Sequence, residues 1–330
     1  MQVEIIGSGI VGLTAAEAFA ARGCAVTVIS RSGGPTGECC SWWAGGMLAP
    51  GCEMESAEPL IGELGAESIA FWRRIAKPQQ NGTLVVAPPR DTPELRRFGR
   101  MTTGWVETDP GALEPDLAGR FSRGFFFAEE AHFDPRAVLV ALKADLASRG
   151  VVFRKSTMPE RIEADLRIDC RGLAARDELT DLRGVKGEML LVRTSELQLR
   201  RPVRLLHPRW PLYIVPRAGG LFMIGATMIE AGDTRGLTLR SALELMGAAY
   251  ALHPAFGEAE IVEIGADNRP AFPDNLPRLR RRDRVIYING MFRHGFLCAP
   301  AMARRAAELA LDGAAFPEVV DEDHGERCDV

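Results

Sequence analysis

The sequence lacks any run of eighteen apolar residues, the length that a membrane-spanning helix needs. Its first residues also lack the basic start of a secretory signal peptide, and Glu4 interrupts the first apolar stretch. The formal net charge is only −4, without the basic excess that is typical of nucleic-acid-binding proteins. We therefore expect no membrane and no nucleic acid as partners, and we predict a cytoplasmic location.

Cysteine is present, but without the spacing of a metal site or a disulfide framework. The seven cysteines give an odd number, none belongs to a Cys-x-x-Cys motif, and no histidine accompanies them at zinc-ligand spacing. We predict free thiols in a reducing compartment and no metal. The adjacent pair Cys39-Cys40 leaves a redox switch open, although two small residues in a tight loop are the simpler interpretation.

The first thirty residues carry the pattern of a dinucleotide-binding fold. They predict a strand at residues 2–6, a glycine turn at residues 7–12, a helix at residues 10–22 and a second strand at residues 24–29. In this Gly-x-Gly-x-x-Gly pattern, Gly7 would permit the tight turn, Gly9 the close approach of a pyrophosphate and Gly12 the packing of the helix on the strand. The helix start at Ile10 and Val11 would present N–H groups and a partial positive charge to the phosphates.

One part of this pattern is missing at the end of the second strand. An acidic residue at that point would hold the ribose hydroxyls of the adenosine, but the sequence has Ser30 followed by Arg31. Serine can still bond a ribose, more weakly, whereas the arginine suggests a 2′-phosphate and hence NADP. The start of the chain therefore leaves FAD and NADP open.

The stretch CSWWAGGMLAP, residues 40–50, combines two bulky rings with a run of small residues. Tryptophan favours a large buried contact, and adjacent glycines let a backbone approach another group closely. Alone, the stretch fits a core turn as well as a wall beside a flat ligand. After the strand–helix–strand start, it resembles the flavin-contacting segment of the D-amino-acid oxidase group, and it looks most like that of the glycine oxidases linked to thiamine biosynthesis.

Further segments resemble the same family in the same order, from Gly7 to Pro300. Residues 213–230 predict two strands with a turn at 218–220 and are similar to the family's substrate-pocket hairpin. Residues 266–277 resemble its loop with an arginine before proline, and residues 289–300 resemble its Arg-x-Gly segment. Three more segments support the match. Residues 132–142 resemble the family's helix lead-in, residues 166–173 its second glycine-bearing strand and residues 185–190 its domain crossover.

The resemblance implies an FAD site and a substrate pocket. The residues that it implies for the pocket chemistry are Tyr213, Arg269, Arg293, Met47 and Met228. The residues that it implies for FAD binding are Gly7, Gly9, Ile10, Val11, Gly12, Ser30, Arg31, Cys40, Ser41, Ala44, Gly45, Gly46, Met47, Gly172, Arg269, Gly290, Arg293, His294, Gly295, Phe296 and Leu297. Met47 would face the substrate side of the flavin, and Trp42 and Trp43 would wall the cofactor or pack under it. His294 is expected to be structural or solvent-facing rather than catalytic.

Flavin chemistry explains why such residues are useful. Amine oxidation transfers a hydride from Cα to N5 of the flavin, so the protein must above all hold the substrate in position. The planar guanidinium of Arg269 would hold a carboxylate through two charge-assisted bonds, and Pro270 after it favours an extended backbone. In the alternating strand 212–215, Tyr213 and Val215 should share one face. Arg293 would hold either the substrate or the rim of the cofactor.

Four functions stay open at this stage. The first is an FAD-dependent oxidase of glycine, with oxygen as acceptor, hydrogen peroxide as product and an imine that feeds thiazole synthesis. The second is the same chemistry on an N-alkyl glycine, such as sarcosine, or on a small D-amino acid, since methionine walls adapt to apolar substituents. The third is an NADP-dependent dehydrogenase, and the fourth is a dinucleotide-binding regulator without turnover. The resemblance also suggests a homo-oligomer.

The expected architecture is α/β: a Rossmann-like FAD-binding domain with a discontinuous α+β substrate domain built on an antiparallel sheet. The FAD-binding domain would take residues 1–58, 134–184 and 275–330, and the substrate domain residues 59–133 and 185–274. Helices are predicted at residues 61–77, 134–149, 237–252 and 300–312. Arg280–Arg282 are expected in a solvated loop.

Overall fold

The computed structural model describes residues 1–157, 162–207, 211–230 and 236–321. Across these residues the α-helices are α1 (Ile10–Ala20), α2 (Pro50–Glu53), α3 (Pro59–Ile75), α4 (Thr92–Met101), α5 (Pro110–Leu113), α6 (Pro135–Ser148), α7 (Leu239–Leu252) and α8 (Gly295–Asp312). The strands are β1 (Gln2–Ile6), β2 (Ala25–Ser30), β3 (Met47–Leu48), β4 (Thr83–Val86), β5 (Val106–Thr108), β6 (Gly124–Phe127), β7 (Ala131–His132), β8 (Val152–Lys155), β9 (Leu166–Asp169), β10 (Arg183–Arg193), β11 (Val203–Leu205), β12 (Leu212–Pro216), β13 (Leu221–Gly225), β14 (Glu260–Ala271), β15 (Arg278–Arg282) and β16 (Val285–Asn289). No helix within these ranges is long and apolar enough to cross a membrane.

The chain divides into two compact units, and the first unit comprises Met1–Trp42, Leu139–Gly184 and Arg269–Val330. Its core is a six-stranded sheet in the order β15-β16-β9-β1-β2-β8. The neighbours from β16 to β8 pair in parallel, and β15 is antiparallel to β16. The predicted α/β class with a Rossmann-like sheet is confirmed, because the opening strand, glycine turn, helix and strand form the centre of this sheet.

Helix α1 is buried on nearly all sides, since its residues are mostly small or apolar. Leu13, Ala15, Ala16 and Phe19 are fully buried, and the helix packs against β1, β2, β9 and α8. Glu17, a buried acid on this helix, forms an ion pair with Arg149, which offsets the cost of burying its charge. This helix therefore couples the start of the chain to α8.

The second unit comprises Trp43–Val138 and Val185–Asn268. Its core is an eight-stranded sheet in the order β14-β10-β13-β12-β11-β4-β6-β5. Five neighbouring pairs are antiparallel, and β11 and β4 are parallel. The expected antiparallel sheet is thus present with one parallel pair. Residues 43–58, which the sequence analysis assigns to the FAD-binding domain, fall in this unit because Trp43 and Met47 pack on its sheet.

The predicted hairpin at residues 213–230 is found as β12 and β13, which are joined at Ala218–Gly220. Its side chains alternate between two cores, as the pattern of the strand predicts. Leu212 and Ile214 join the larger core, which includes residues of α7. Tyr213 and Val215 face a smaller core around Met189 and Met223, the core on which Trp43 and Met47 also pack.

Two sequence predictions about the C-terminal third are wrong. The last helix begins at Gly295 and not at residue 300: Pro300 stands inside it, near its start, and cannot donate a helical hydrogen bond there. Arg280–Arg282 lie in β15 and not in a loop. Arg280 is buried and pairs with Asp181 and Asp321, whereas Arg281 is exposed.

Candidate functional site

The glycine turn of the first unit lies between β1 and α1. Gly7 has a φ of +109°, and a Cβ atom at Gly12 would lie only 2.0 Å from the carbonyl oxygen of Gly7. These two glycines are therefore required by the turn itself. A Cβ atom at Gly9 would meet only Oγ of Ser41, at 3.2 Å. Gly9 thus leaves its side of the turn open to a ligand.

The N-terminus of α1 offers an anion site next to this turn. Gly9 is the N-cap and gives no side-chain hydrogen bond, and the N–H of Ile10 donates to Oγ of Ser41 at 3.1 Å. The N–H groups of Val11 and Gly12 belong to the first turn, where the helix supplies no acceptor of its own. Such a helix start attracts phosphate through its N–H groups and its dipole.

Ser30 ends β2 at the same edge of the sheet. Its Oγ accepts a hydrogen bond from Oγ of Ser8 at 3.0 Å, while Arg31 is exposed. The two hydroxyls stand where the dinucleotide pattern has a carboxylate, so the ribose would meet neutral groups here.

Two further turns follow the strands on the other side of β1. Cys170 and Gly172 follow β9, and Gly290 follows β16, at the carboxyl ends of adjacent parallel strands. Nδ2 of Asn289 donates to the carbonyl oxygen of Gly172 at 2.9 Å, and its Oδ1 accepts from the N–H of Gly290 at 2.8 Å. Asn289, which sequence reasoning missed, therefore joins the two turns at the edge where α/β sheets bind ligands. A buried amide at a strand end is the signal that could have found it.

The structure brings Arg269 and Arg293 onto neighbouring segments of the first unit. The N–H of Phe292 donates to the carbonyl oxygen of Pro270 at 2.8 Å, so the residue before one arginine bonds the residue after the other. Both arginines are half-buried. The Arg293 guanidinium lies 5.8 Å from the centroid of the Phe292 ring.

Helix α8 begins directly after Arg293. His294 is its N-cap and is buried, which excludes the solvent-facing alternative of the prediction and is compatible with the structural one. A Cβ atom at Gly295 would lie 3.5 Å from Cγ2 of Ile10. The N-termini of α1 and α8 therefore lie side by side, with Phe296 and Leu297 buried behind them.

The segment Trp43–Met47 of the second unit shows why small residues follow the tryptophans. A Cβ atom at Gly45 would lie 2.8 Å from Cε2 of Tyr213, and one at Gly46, where φ is +70°, would lie 2.3 Å from the carbonyl oxygen of Phe133. Both glycines are therefore needed for contacts within the protein, beside any contact of Ala44–Gly46 with a cofactor.

Trp43 is half-buried in the same unit. A Cβ atom at Gly265 would lie 2.1 Å from the indole ring, so glycine is the residue that fits there. The guanidinium of Arg136 also lies on the indole ring, 5.0 Å from the ring centroid. This arginine forms an ion pair with Glu263 at 2.6 Å. The Trp43 ring thus packs against protein atoms of the second unit.

Arg217, which the sequence analysis missed, binds two backbone carbonyls of the second unit. Its Nη1 donates to the carbonyl oxygen of Phe133 and its Nη2 to that of Gly45, both at 2.6 Å. Burial lowers the pKa of Arg217 to about 10, against the opposing charge of Asp134. The guanidinium therefore stays charged at neutral pH. Its position directly after the hairpin strand of Tyr213 was the available signal.

Met47 pairs with His132 across the two-stranded sheet of β3 and β7. The His132 side chain is 1% exposed, and neither ring nitrogen has a hydrogen-bond partner among the described residues. Burial and the charge of Arg217 lower the pKa of His132 to about 4. The imidazole is therefore neutral at physiological pH and adds no charge beside Met47.

Glu130 is a buried acid on the segment that leads into β7. Its Oε1 accepts the N–H of Cys52 at 2.7 Å, and its Oε2 has no hydrogen-bond partner in the described part of the chain. Burial raises the pKa of Glu130 to about 7, although the N–H of Cys52 and the charge of Arg204 act in the opposite direction. This carboxyl group titrates near neutral pH.

Met228 is exposed on the segment of residues 227–230, which is hydrogen-bonded to β10 beside a buried ion pair of that strand. Nζ of Lys186 lies 3.1 Å from Oε1 of Glu188, and both side chains are buried. Glu188 also accepts hydrogen bonds from Oγ1 of Thr227 and the N–H of Thr238, both at 3.0 Å. These bonds fix both ends of the segment, although Met228 itself is 57% exposed.

The arrangement supplies anion-binding N–H groups, guanidinium groups and apolar walls. No group of three or more His, Cys, Asp or Glu side chains that could hold a metal occurs in the part of the chain that the structure describes. Residues Cys24, Cys39, Cys40, Cys52, Cys170 and Cys298 are free thiols. In the first unit, the glycine turn and the start of α1 together suit the phosphates of a dinucleotide cofactor.

Known proteins resemble the chain over most of its length. Residues 2–309 match the model of a family described as DAO, FAD dependent oxidoreductase. The chain is 50% identical over 325 residues to a Rhizobium etli protein named "Putative thiamine biosynthesis oxidoreductase ThiO". The match covers 96% of this chain and 99% of that protein. It is 27% identical to a glycine oxidase of Bacillus licheniformis over 98% of this chain and 96% of that enzyme. Its fold matches the crystal structure of a glycine oxidase of Bacillus cereus with a TM-score of 0.80, at 22% identity, over 95% of this chain and 96% of that one.

Proposed function

Because the chain belongs to the DAO family of FAD-dependent oxidoreductases, we propose that it is an FAD-dependent oxidase of glycine. The predicted family, cofactor and oxidoreductase class are confirmed by the match over residues 2–309. The observation that carries the choice of substrate is the full-length similarity to a relative named glycine oxidase. FAD would supply the two-electron oxidant for glycine; the imine product would then be hydrolysed to glyoxylate and ammonia, with oxygen as the final acceptor and hydrogen peroxide as its product.

The residues of the first unit fit the proposed cofactor. The open side of Gly9 and the N–H groups at the start of α1 suit a pyrophosphate. Ser30 would bond a ribose hydroxyl in place of the usual acid. The remaining proposed contacts are Val11, Arg31, Cys40, Ser41, Gly172, Gly290, Gly295, Phe296 and Leu297 in this unit, and Ala44, Gly45, Gly46 and Met47 in the other.

Arg269 is the proposed holder of the substrate carboxylate, because a guanidinium makes two charge-assisted bonds to it. The bond from Phe292 to the Pro270 carbonyl fixes the backbone next to it. Tyr213 is proposed to donate its O–H to the substrate carboxylate or to line its approach path, Arg293 to order substrate or cofactor, and Met47 and Met228 to form apolar walls. His132, which pairs with Met47, is neutral at physiological pH and therefore adds no positive charge that would compete with Arg269 for the carboxylate.

The proposal extends to the setting of the reaction. The name of the Rhizobium etli relative supports a role in which the imine feeds the thiazole part of thiamine. The free thiols support a cytoplasmic location. Oxygen is the proposed acceptor, and a homo-oligomer is the proposed assembly.

The visible spectrum of the purified protein, before and after anaerobic addition of glycine, tests the proposal. We expect flavin absorbance that glycine bleaches and that oxygen restores. A flavin that glycine leaves unchanged but sarcosine bleaches would replace glycine with an N-alkyl glycine. A protein that takes up no FAD on reconstitution but binds NADPH would overturn the oxidase and favour the dehydrogenase.

A further inference from the structure

Arg217 ties together segments that lie far apart in the sequence. The carbonyls that it binds belong to Phe133 and Gly45, which are 84 and 172 residues away along the chain. Its backbone follows directly after β12, the strand that carries Tyr213. One side chain thus joins the pocket hairpin, the flavin-contact segment and the entry to α6.

A closed set of contacts surrounds this guanidinium. Phe133 accepts from Arg217 through its carbonyl and donates its N–H to the carbonyl oxygen of Gly46 at 3.0 Å. The Gly45 carbonyl accepts the second bond of Arg217, and the ring of Tyr213 lies beside the Gly45 Cα, where a Cβ atom would be 2.8 Å from Cε2 of the ring. The two carbonyl groups cannot turn without breaking a hydrogen bond to a half-buried charge, which is costly.

We propose that Arg217 is a positioning residue, which fixes the Gly45 peptide against the Tyr213 ring and thereby sets both the flavin-contact segment and the substrate-binding tyrosine. This inference rests on the proposed function. It predicts that loss of the two bonds weakens FAD binding and raises KM for glycine, because both depend on the same peptide. The chemical step on correctly bound glycine should change less.

Three substitutions separate the two bonds from the charge. Arg217→Met removes the two hydrogen bonds and the charge. We expect the Kd for FAD and the KM for glycine each to rise about tenfold or more, which is the effect of losing a hydrogen bond from a charged group. Arg217→Lys keeps the charge but has no planar fork, and Arg217→Gln keeps a donor without charge. Partial recovery of Kd and KM in both variants is expected from positioning; recovery in lysine alone would show that the charge acts instead.

The chain offers a matched control in Arg120. Its guanidinium also binds two backbone carbonyls of the same unit, those of Leu252 at 2.7 Å and Ala251 at 3.3 Å, at the end of α7. We expect Arg120→Met to lower the Tm while leaving Kd and KM within about twofold of the wild type. If Arg217→Met raises Kd and KM no more than Arg120→Met does, the proposal is overturned.

A measurement without glycine keeps the inference separate from the proposed function. Hydrogen exchange of the apoprotein reports on the Phe133 amide, which donates to Gly46 beside the guanidinium. We expect at least tenfold faster exchange of this amide in Arg217→Met and no change in Arg120→Met. Unchanged exchange in both variants would overturn the positioning role, whereas a wild type that ignores glycine would overturn only the choice of substrate.

Discussion

Glu130 makes the stability of the protein depend on pH through a single carboxyl group. Its pKa in the folded protein, about 7, lies above the ordinary value of 4.5, so the folded state holds the proton more tightly than the unfolded state. Its contribution to stability is therefore full below about pH 4.5 and is lost as the pH rises through 7. Glu130→Gln mimics the protonated group and keeps the acceptor for the Cys52 N–H. We expect the free energy of unfolding of this variant, relative to wild type, to rise by about 3 kcal/mol between pH 4.5 and 8.

Urea denaturation at a series of pH values measures this difference, and the neighbouring acid supplies the control. Glu129 has a side chain that is 93% exposed, so Glu129→Gln should show no such trend. His132 acts in the opposite direction: its pKa is lowered to about 4, so its contribution to stability is lost as the pH falls from about 6.5 through 4. This contribution is the same in wild type and variant, so the comparison between them removes it. A flat difference for Glu130→Gln would mean that this carboxyl group is ionised in the folded state.

Arg269 is the residue on which substrate affinity should depend most. Lysine in its place keeps the positive charge but loses the planar fork, so we expect KM for glycine to rise about tenfold to a hundredfold with a smaller change in kcat. Oxygen uptake under steady-state conditions gives both constants. Arg281→Lys, at an exposed position of β15, should leave them unchanged. A fall in kcat at constant KM would instead place Arg269 on the cofactor side.

At the scale of elements, the start of α1 depends on a hydroxyl that comes from outside the helix. Ser41 is 31 residues away from Ile10, whose N–H it accepts. Ser41→Ala leaves that N–H without the bond, and we expect a loss of about 1 kcal/mol in the free energy of unfolding of the apoprotein, as for other helix caps. Urea denaturation tests this. Ser32→Ala, whose hydroxyl bonds only the nearby Gly34 carbonyl, should cost clearly less.

The ion pair of Lys186 and Glu188 should dominate the stability of the Met228 segment. Lys186→Met leaves the Glu188 carboxylate buried without its cation, and we expect a loss of about 3–5 kcal/mol in the free energy of unfolding. The double variant Lys186→Met with Glu188→Gln removes the lone charge and should recover part of this loss. Equal destabilisation of single and double variants in guanidinium chloride would contradict this account.

Elements whose pattern is local were predictable from the sequence. The opening strand, glycine turn and helix, the hairpin of β12 and β13, and helices α3, α6 and α7 all follow from periodicity and turn residues within fewer than twenty positions. The start of α8 was not predictable in this way. Pro300 resembled a helix start, but the helix begins at Gly295, and residues 296–299 of its first turn are buried.

At the scale of the whole molecule, the residues that sequence reasoning missed act over long separations. Asn289 bonds Gly172 across 117 residues, and Arg217 bonds Gly45 across 172. Neither stands in a pattern that local spacing can reveal, because the partner is a backbone carbonyl that any residue type could offer. The family resemblance pointed to residues that would contact ligand, and the structure adds those that hold the contacting segments in place. The roles proposed for the ligand-contacting residues stay predictions.

The packing of α1 against α8 has a consequence for synthesis on the ribosome. About 275 residues separate Ala20, the end of α1, from Gly295, the start of α8. At roughly 5–20 residues per second, the nascent α1 waits about 14–55 s for this partner. During that time its apolar side chains, Leu13 and Phe19 among them, have no covering helix. We therefore expect the nascent chain to expose this apolar surface until α8 has been synthesised.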